Sequence, residues 1–331
     1  MSKVFVTGAA GMLGSSICRE LLRQNYEVVA LSLDEASSKT ISDLPIEIVY
    51  GDILDYAFLK EQIRDCDYII HVAALTQVWP RRDSKINDVN ICGTKIIVKV
   101  AQELGVKRMV HIGSAASFTE GSKQNPGDER SEYTGWRFGM DYIDSKYKTQ
   151  KYLLRKHSES NFQVVIVNPT YMIGPFDSGP SSGKMLIEFS KGSLPGYSGG
   201  GKNFVCSTDV ACAAVNAIHN GRPGQCYIAG NENLEYKEFF QKISYLLDKE
   251  LTLKKIPQAF ILLAGLYSSI IARVTGKKPK LSYGMAKFAS LHQYYNSNKA
   301  VEELNMPQTP INVGIEQAYE WFNENKYLDR R

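Results

Sequence analysis

Through the first half of the chain, short apolar runs alternate with segments whose apolar residues recur at helical spacing. Lys3 to Thr7 is a β-rich run, and Glu27 to Leu33, Glu47 to Tyr50 and Tyr68 to Ala73 repeat the pattern. Arg108 to Gly113 and Gln163 to Asn168 add a fifth and a sixth strand. Between them, Gly14 to Gln24, Asp88 to Leu104 and Asp141 to His157 carry apolar positions three and four apart, the period of a helix with one buried face. Such alternation predicts βαβ units with right-handed crossovers. The fold class is therefore α/β, a doubly wound parallel sheet covered on both faces.

The alternation breaks after Asn168. Gly174 to Gly183 and Gly192 to Gly201 are rich in Gly, Pro and Ser and read as loops around one helix, Lys184 to Lys191. After Gly224 the pattern is mostly helical. The expected division is a first lobe over 1–169, to which 205–229 returns, and a smaller, mostly helical lobe from 170–204 and 230–331. The most apolar segment, Ala259 to Val274, has 16 residues and includes Ser268, Ser269 and Arg273. A spanning helix needs about 20 apolar residues. This one is expected to pack inside the protein, with membrane-surface contact as the alternative and no stable insertion.

Composition narrows the classes further. A chain of 331 residues with 44% apolar side chains can bury a large core across two lobes. Its net charge is only +4, and its cations are interspersed with acids, so nucleic acid is not an expected partner. Cys18, Cys66, Cys92, Cys206, Cys212 and Cys226 form no CxxC pair. They read as free, buried thiols in a reducing compartment, and no metal site is expected. The opening MSKVFVTG carries no secretory pattern, so a cytoplasmic location is expected.

The strongest local signal is Val4-Phe5-Val6-Thr7-Gly8-Ala9-Ala10-Gly11-Met12-Leu13-Gly14. A strand ends, three glycines follow at spacing three, and a helix begins. A tight turn needs φ > 0, and a pyrophosphate can approach the backbone only where Cβ atoms are absent. The diphosphate then meets unpaired N–H groups at the helix N-terminus. Gly8, Ala10, Gly11, Met12, Leu13 and Gly14 are the candidate cradle.

The spacing GxxGxxG resembles the extended short-chain dehydrogenase/reductase family, the NAD-dependent epimerases and dehydratases. Further matches follow in the family's order: Gly51-Asp52-Ile53, His71-Val72-Ala73-Ala74, Asn90-Ile91-Cys92-Gly93-Thr94, and Asn168-Pro169-Thr170 before Gly174-Pro175. Each alone has a plainer reading; His71, for instance, could be a satisfied histidine near a strand end. The resemblance implies a Rossmann-type fold holding NAD or NADP. It places Asp52 and Ile53 at the adenine, Ala73, Ala74 and Asn90 along the cofactor, and Pro169 and Thr170 beside the nicotinamide. Gly179 to Gly183, Asn203-Phe204-Val205 with Asp209-Val210, and Tyr295-Asn296-Ser297 before Lys299-Ala300 are similar to the dihydroflavonol-reductase-like branch. That branch includes sugar-epimerase-like proteins. The resemblance also implies a homodimer formed through the helices before strands five and six.

The family's chemistry rests on Tyr-x-x-x-Lys with an upstream Ser or Thr. Residues four apart share one helix face. A free phenol titrates near 10, and a neighbouring ammonium should lower that value. The pattern occurs six times here, at Tyr56/Lys60, Tyr142/Lys146, Tyr147/Lys151, Tyr152/Lys156, Tyr245/Lys249 and Tyr295/Lys299. The pair must lie between strands five and six, which leaves Tyr142, Tyr147 and Tyr152. Only Tyr142-Ile143-Asp144-Ser145-Lys146 has the serine directly before the lysine, and it stands 27 residues before Pro169. Tyr142 and Lys146 are the favoured pair, with Lys146 also at the nicotinamide ribose. Ser114, just past strand five, is the third member, with Ser117 as competitor.

The end of the second strand decides between cofactors. Ser32 stands where many NAD-using relatives carry an acid, and Leu33 where NADP-using relatives of the branch carry Arg. Asp34 could reach a ribose hydroxyl. Two acids, Asp34 and Glu35, disfavour a 2′-phosphate and lean the expectation to NAD. Three functions follow: reduction of a ketone or aldehyde of a small molecule (or oxidation of the alcohol), nucleotide-sugar epimerisation, and non-catalytic cofactor sensing. An intact Tyr142/Lys146 pair argues against the third. Ala115-Ala116 after Ser114, in place of the Asp-Glu of dehydratases, argues against dehydration. Lys202 stands where sugar-nucleotide relatives often use Arg, and a lysine binds phosphate as a point charge.

Overall fold

The computed structural model describes residues 1–279 and 281–329. Its order begins β1 (Lys3–Thr7), α1 (Met12–Arg23), β2 (Glu27–Ser32), β3 (Glu47–Tyr50), α2 (Tyr56–Ile63), β4 (Tyr68–His71), α3 (Ser84–Asn87), α4 (Thr94–Leu104), β5 (Arg108–Ile112), α5 (Asp141–Ser160) and β6 (Val164–Pro169). It continues with β7 (Tyr171–Ile173), α6 (Lys184–Ser190), β8 (Gly201–Cys206), α7 (Ser207–Asn216), β9 (Cys226–Ala229), β10 (Glu232–Glu235) and α8 (Tyr236–Leu246). The last elements are α9 (Gln258–Thr275), α10 (Tyr283–Ala289), β11 (His292–Gln293), α11 (Asn298–Leu304) and α12 (Ile311–Glu324).

Seven strands form one sheet in the order β3-β2-β1-β4-β5-β6-β9. Every pairing is parallel, as the alternation of strands and helices requires. The chain winds outward from β1 to β3, then restarts at β4 on β1's other side. That reversal leaves a crevice beyond the carboxyl ends of β1 and β4, where open α/β sheets bind ligands. Alternate side chains of β1 enter opposite cores. Val4 and Val6 pack with α1 and α7, while Phe5 packs with α2, α4 and α5.

The boundary near 205 is shifted slightly. β8 pairs with β7, β10 and β11 in a second, four-stranded sheet, and the return to the large sheet starts at α7, which packs on α1. α11 also packs on β9 and α7. The helical second lobe is thus organised on strands too short to show a period: β7 has 3 residues and β11 has 2. Its core joins Phe204, Phe239, Phe240, Ile315 and Phe322.

Two helices depart from expectation. The helix read over Asp88 to Leu104 starts earlier, at Ser84, and winds wider as a π-helix over Asp88–Gly93. Gly93 there lies so close to Ile53 that a Cβ would meet its Cδ1 at 2.7 Å. The apolar helix expected inside the protein is α9, and it lies on the surface. Among the described residues it buries only Ile261, Gly265 and Ala272, and α10 is the element that packs most closely on it. Cys92 is likewise exposed and Cys212 only half-buried, while the other four thiols are buried and all six are free.

Candidate active site

A cavity of about 430 Å³ opens at the carboxyl edge of the large sheet. Gly8, Gly11, Met12, Leu13 and Gly14 form one wall, Ala73 and Ala74 the next, and Ser114, Tyr142, Lys146, Pro169 and Thr170 the far side. One crevice therefore gathers residues spread over more than 160 positions of sequence.

The glycines serve different purposes. Gly8 has φ +65°, and a Cβ there would also meet the Ala73 nitrogen at 2.7 Å. At Gly14 a Cβ would lie 2.1 Å from the Gly8 carbonyl oxygen, so the strand and helix can approach only without it. Gly11 differs: the nearest protein atom to a Cβ would be 3.5 Å away. The protein itself leaves room at Gly11, which faces the cavity. No side chain caps α1, so the first-turn N–H groups beside Gly11 lack the usual partner. This open, uncapped N-terminus fits a diphosphate.

Behind the loop, Thr7 Oγ1 accepts from the Val72 and Ala73 nitrogens, both at 3.1 Å. Its own hydrogen is then left for His71 Nδ1, 2.7 Å away. His71 Nε2 faces Thr94 Oγ1 at 2.9 Å, and Thr94 donates to the Asn90 carbonyl at 2.7 Å. His71 is fully buried, and burial with the nearby Lys146 ammonium pushes its pKa down to about 3. The plainer reading of His71 holds: it is a neutral histidine that ties strand ends together beneath the cavity.

α5 presents Tyr142 and Lys146 one turn apart. Its first turn is anchored by Arg82, which donates to Asp141 at 2.6 Å and to Asp144 at 3.0 Å. Ser145 is buried, donates to the Tyr142 carbonyl and accepts from Asn90 Nδ2 at 2.9 Å. Lys146 Nζ donates to the Ile112 carbonyl at 2.8 Å, and burial lowers its pKa to about 8. Burial raises the Tyr142 phenol, and a hydrogen bond with Ser114 partly offsets this. The expected lowering by the ammonium is not what governs this phenol; burial dominates its shift. The Ser114 oxygen accepts from the Ala116 nitrogen at 3.2 Å, which leaves its O–H free to donate. Ser117, the competitor, is buried away from the cavity.

The other tyrosine candidates lie elsewhere. Tyr147 stacks on Tyr133 with centroids 4.0 Å apart, and Tyr152 packs against the core beside Lys95. Tyr56 and Lys60 share Glu103 on the surface.

Several predicted cofactor residues do not line the cavity. Asn90 is buried, with its amide on Leu75 and Ser145, so it positions the wall and α5. The Ala10 carbonyl accepts from Thr40. Ser32 is buried and donates to the Asp34 carbonyl, while exposed Asp34 accepts from the Ser37 nitrogen and hydroxyl. Asp52 is exposed and accepts from Leu54, and Ile53 is buried against Gly93.

A model of the NAD-dependent epimerase/dehydratase family matches residues 4–230. The chain belongs to this family. A Synechocystis protein provisionally named a dihydroflavonol 4-reductase is 29% identical, over 98% of this chain and 95% of its own length. The sterol-4-alpha-carboxylate 3-dehydrogenase (decarboxylating) of Dictyostelium discoideum is 26% identical over 72% of this chain and 75% of its own. Among solved structures, gox2253 superposes with a TM-score of 0.87 at 27% identity, covering 99% of this chain and 100% of its own.

Within this epimerase/dehydratase frame, the cavity has further walls that sequence reasoning missed. Thr76, Met172, Asp177 and Ser178 line it. Asp177 is buried, accepts from the Ser181 and Gly183 nitrogens, and has its pKa raised by burial. Its signal was present in Gly174 to Gly183, where a lone acid sits among Gly, Pro and Ser. Lys202 lies outside this cavity. It is buried on Gln293 Oε1 at 2.9 Å, against the Tyr171 and Phe288 rings, with its pKa lowered to about 8 by burial.

Proposed function

We propose that the protein reduces the ketone or aldehyde of a small, partly apolar molecule, or oxidises the corresponding alcohol. The observation that carries this reading is the convergence of Tyr142, Lys146 and Ser114 on one wall of the glycine-loop cavity. A bound nicotinamide cofactor would supply or take the hydride.

The chain's own residues account for the proton. Ser114 donates its free O–H to the carbonyl oxygen and fixes its place. Tyr142, kept protonated by burial, gives its proton to the alkoxide as charge develops. Lys146, held on the Ile112 carbonyl, keeps a positive charge near the phenol and stabilises the phenolate left behind. Oxidation runs these steps in reverse. Met12, Leu13 and Gly14 would hold the diphosphate, and Ala73, Ala74, Pro169 and Thr170 would line the nicotinamide half. Exposed Asp34 and Glu35 at the end of β2 favour a ribose hydroxyl over a 2′-phosphate, which supports NAD.

The apolar side of the site supports the substrate class. Tyr142 packs in a cluster with Val78, Met140, Phe288 and Leu291. The reductase and dehydrogenase names of the relatives agree. The epimerase alternative would look to Lys202 for the diphosphate beyond the cofactor, and Lys202 lies outside the cavity. The test is a panel of aldehydes and ketones with NADH and NADPH, beside UDP- and GDP-sugars assayed for epimer exchange. Carbonyl-dependent oxidation of the cofactor supports the reading. Epimer exchange without net oxidation sinks it.

A further inference from the structure

Helix α9 is the largest anomaly on the surface. Phe260, Leu263, Tyr267, Ile270 and Val274 follow one another at spacings of three and four and form one stripe, flanked by Leu266 and Ile271. All seven face outward, Tyr267 at 69% and Val274 at 82% exposure. The opposite stripe, Ile261, Gly265 and Ala272, is the part that packs inward, and the Tyr283 nitrogen donates to Ser269 to lock α9 onto α10. A soluble surface does not normally leave so long an apolar row uncovered.

The charge around this helix is equally uneven. From Leu251 to Val301 the chain has no Asp or Glu, whereas it has Lys254, Lys255, Arg273, Lys277, Lys278, Lys280, Lys287 and Lys299. This segment carries +8 and leaves −4 for the rest of a chain whose total is +4. The interspersion of charges that holds elsewhere fails here. Lys254 and Lys255 precede α9, and Arg273, Lys277 and Lys278 close it; all five are exposed. Among the described residues none of the five has an ion-pair partner.

We propose that α9, with the cations at its two ends, is a docking surface that lies on an anionic lipid bilayer. An apolar helix face bounded by Lys and Arg gains both from burying its side chains at the acyl boundary and from attraction to acidic headgroups. With 18 residues and an arginine in its last turn, α9 fits the plane of the interface better than a span across it. A second copy of the chain fits less well. A two-fold contact would set this patch against itself, and so cations against cations. α10, the helix that packs on the inner side of α9, places Phe288 in the cluster that includes Tyr142.

The test is flotation of the purified full chain with vesicles of phosphatidylcholine alone and of phosphatidylcholine mixed with phosphatidylglycerol. The chain should float with the mixed vesicles, weakly with the neutral ones, and less as salt rises. Phe260→Ser/Leu263→Ser/Tyr267→Ser/Ile270→Ser and, separately, Lys277→Glu/Lys278→Glu should each lower the bound fraction at least about tenfold. Their melting temperatures should stay near that of the parent, since these side chains are exposed. A parent chain that stays at the bottom with the mixed vesicles overturns the proposal, as does a quadruple variant that floats like the parent. A dimer in sedimentation that the quadruple variant dissociates, without vesicle binding, assigns the face to a second copy instead. Catalysis enters none of these readouts, so they stand apart from the assignment of the reaction.

Discussion

At the scale of single residues, the account turns on which of six Tyr-x-x-x-Lys pairs faces the cavity. Tyr142 and Lys146 do, and Tyr147 is held in a stack with Tyr133. Tyr142→Phe should lower turnover roughly 10²–10⁴-fold while calorimetry shows cofactor affinity unchanged. Tyr147→Phe should keep near-parental turnover; the opposite pattern would move the assignment one helical turn. Lys146 makes a second prediction, from its titration. Its folded value is depressed from 10.5 to about 8, so between those values the unfolded chain holds the extra proton and stability rises with pH. Below about 8 both states are charged and the penalty is constant, on the order of 3 kcal/mol. Lys202 carries the same depression. Buried Cys18, Cys66, Cys206 and Cys226, whose thiols burial raises from 9.0 to about 11 or 12, act in the opposite sense over the same range. The prediction is therefore a difference: the melting temperature of Lys146→Met relative to the parent should fall as pH rises from about 8 toward 10.5. An identical pH profile in parent and Lys146→Met would show that this ammonium does not titrate there. The tyrosine pair was legible only by register, between strands five and six with a serine before the lysine. The raised phenol was not legible, because burial is a property of the assembled site.

At the scale of elements, the β1–glycine loop–α1 unit separates fold from function at neighbouring glycines. Gly14→Val forces a side chain into the Gly8 carbonyl and should cost at least about 1–3 kcal/mol of stability. A Cβ at Gly11 meets no protein atom closer than 3.5 Å, so the melting temperature of Gly11→Val should stay near the parent's while NAD and NADP binding are lost. Unchanged affinity would remove this loop from the cofactor site. The six strands of the large sheet from β1 to β6 were legible because each is an apolar run of 4 to 6 residues between turn residues. The second sheet was not, since β7 and β11 are too short to carry a period and β10 reads Glu-Asn-Leu-Glu. α2 was also missed; its N-cap, Asp55 accepting from Phe58, was its available signal. Apolarity alone placed α9 inside, whereas burial depends on what the fold sets against each face.

At the scale of the whole molecule, the claim is that net redox chemistry on a substrate carbonyl occurs in the cavity at the carboxyl edge of the large sheet. A reductase consumes one reduced cofactor for each alcohol formed, whereas an epimerase regenerates its cofactor within each cycle. The most direct measurement uses NADH or NADPH carrying deuterium in the transferable position at nicotinamide C4, with a ketone that supports turnover. Cofactor oxidised and alcohol formed are counted together. The account predicts equal amounts of each and one deuterium on the carbinol carbon, with both signals lost in Tyr142→Phe. Sugar-nucleotide epimerisation with no cofactor consumed and no deuterium in any product would contradict it.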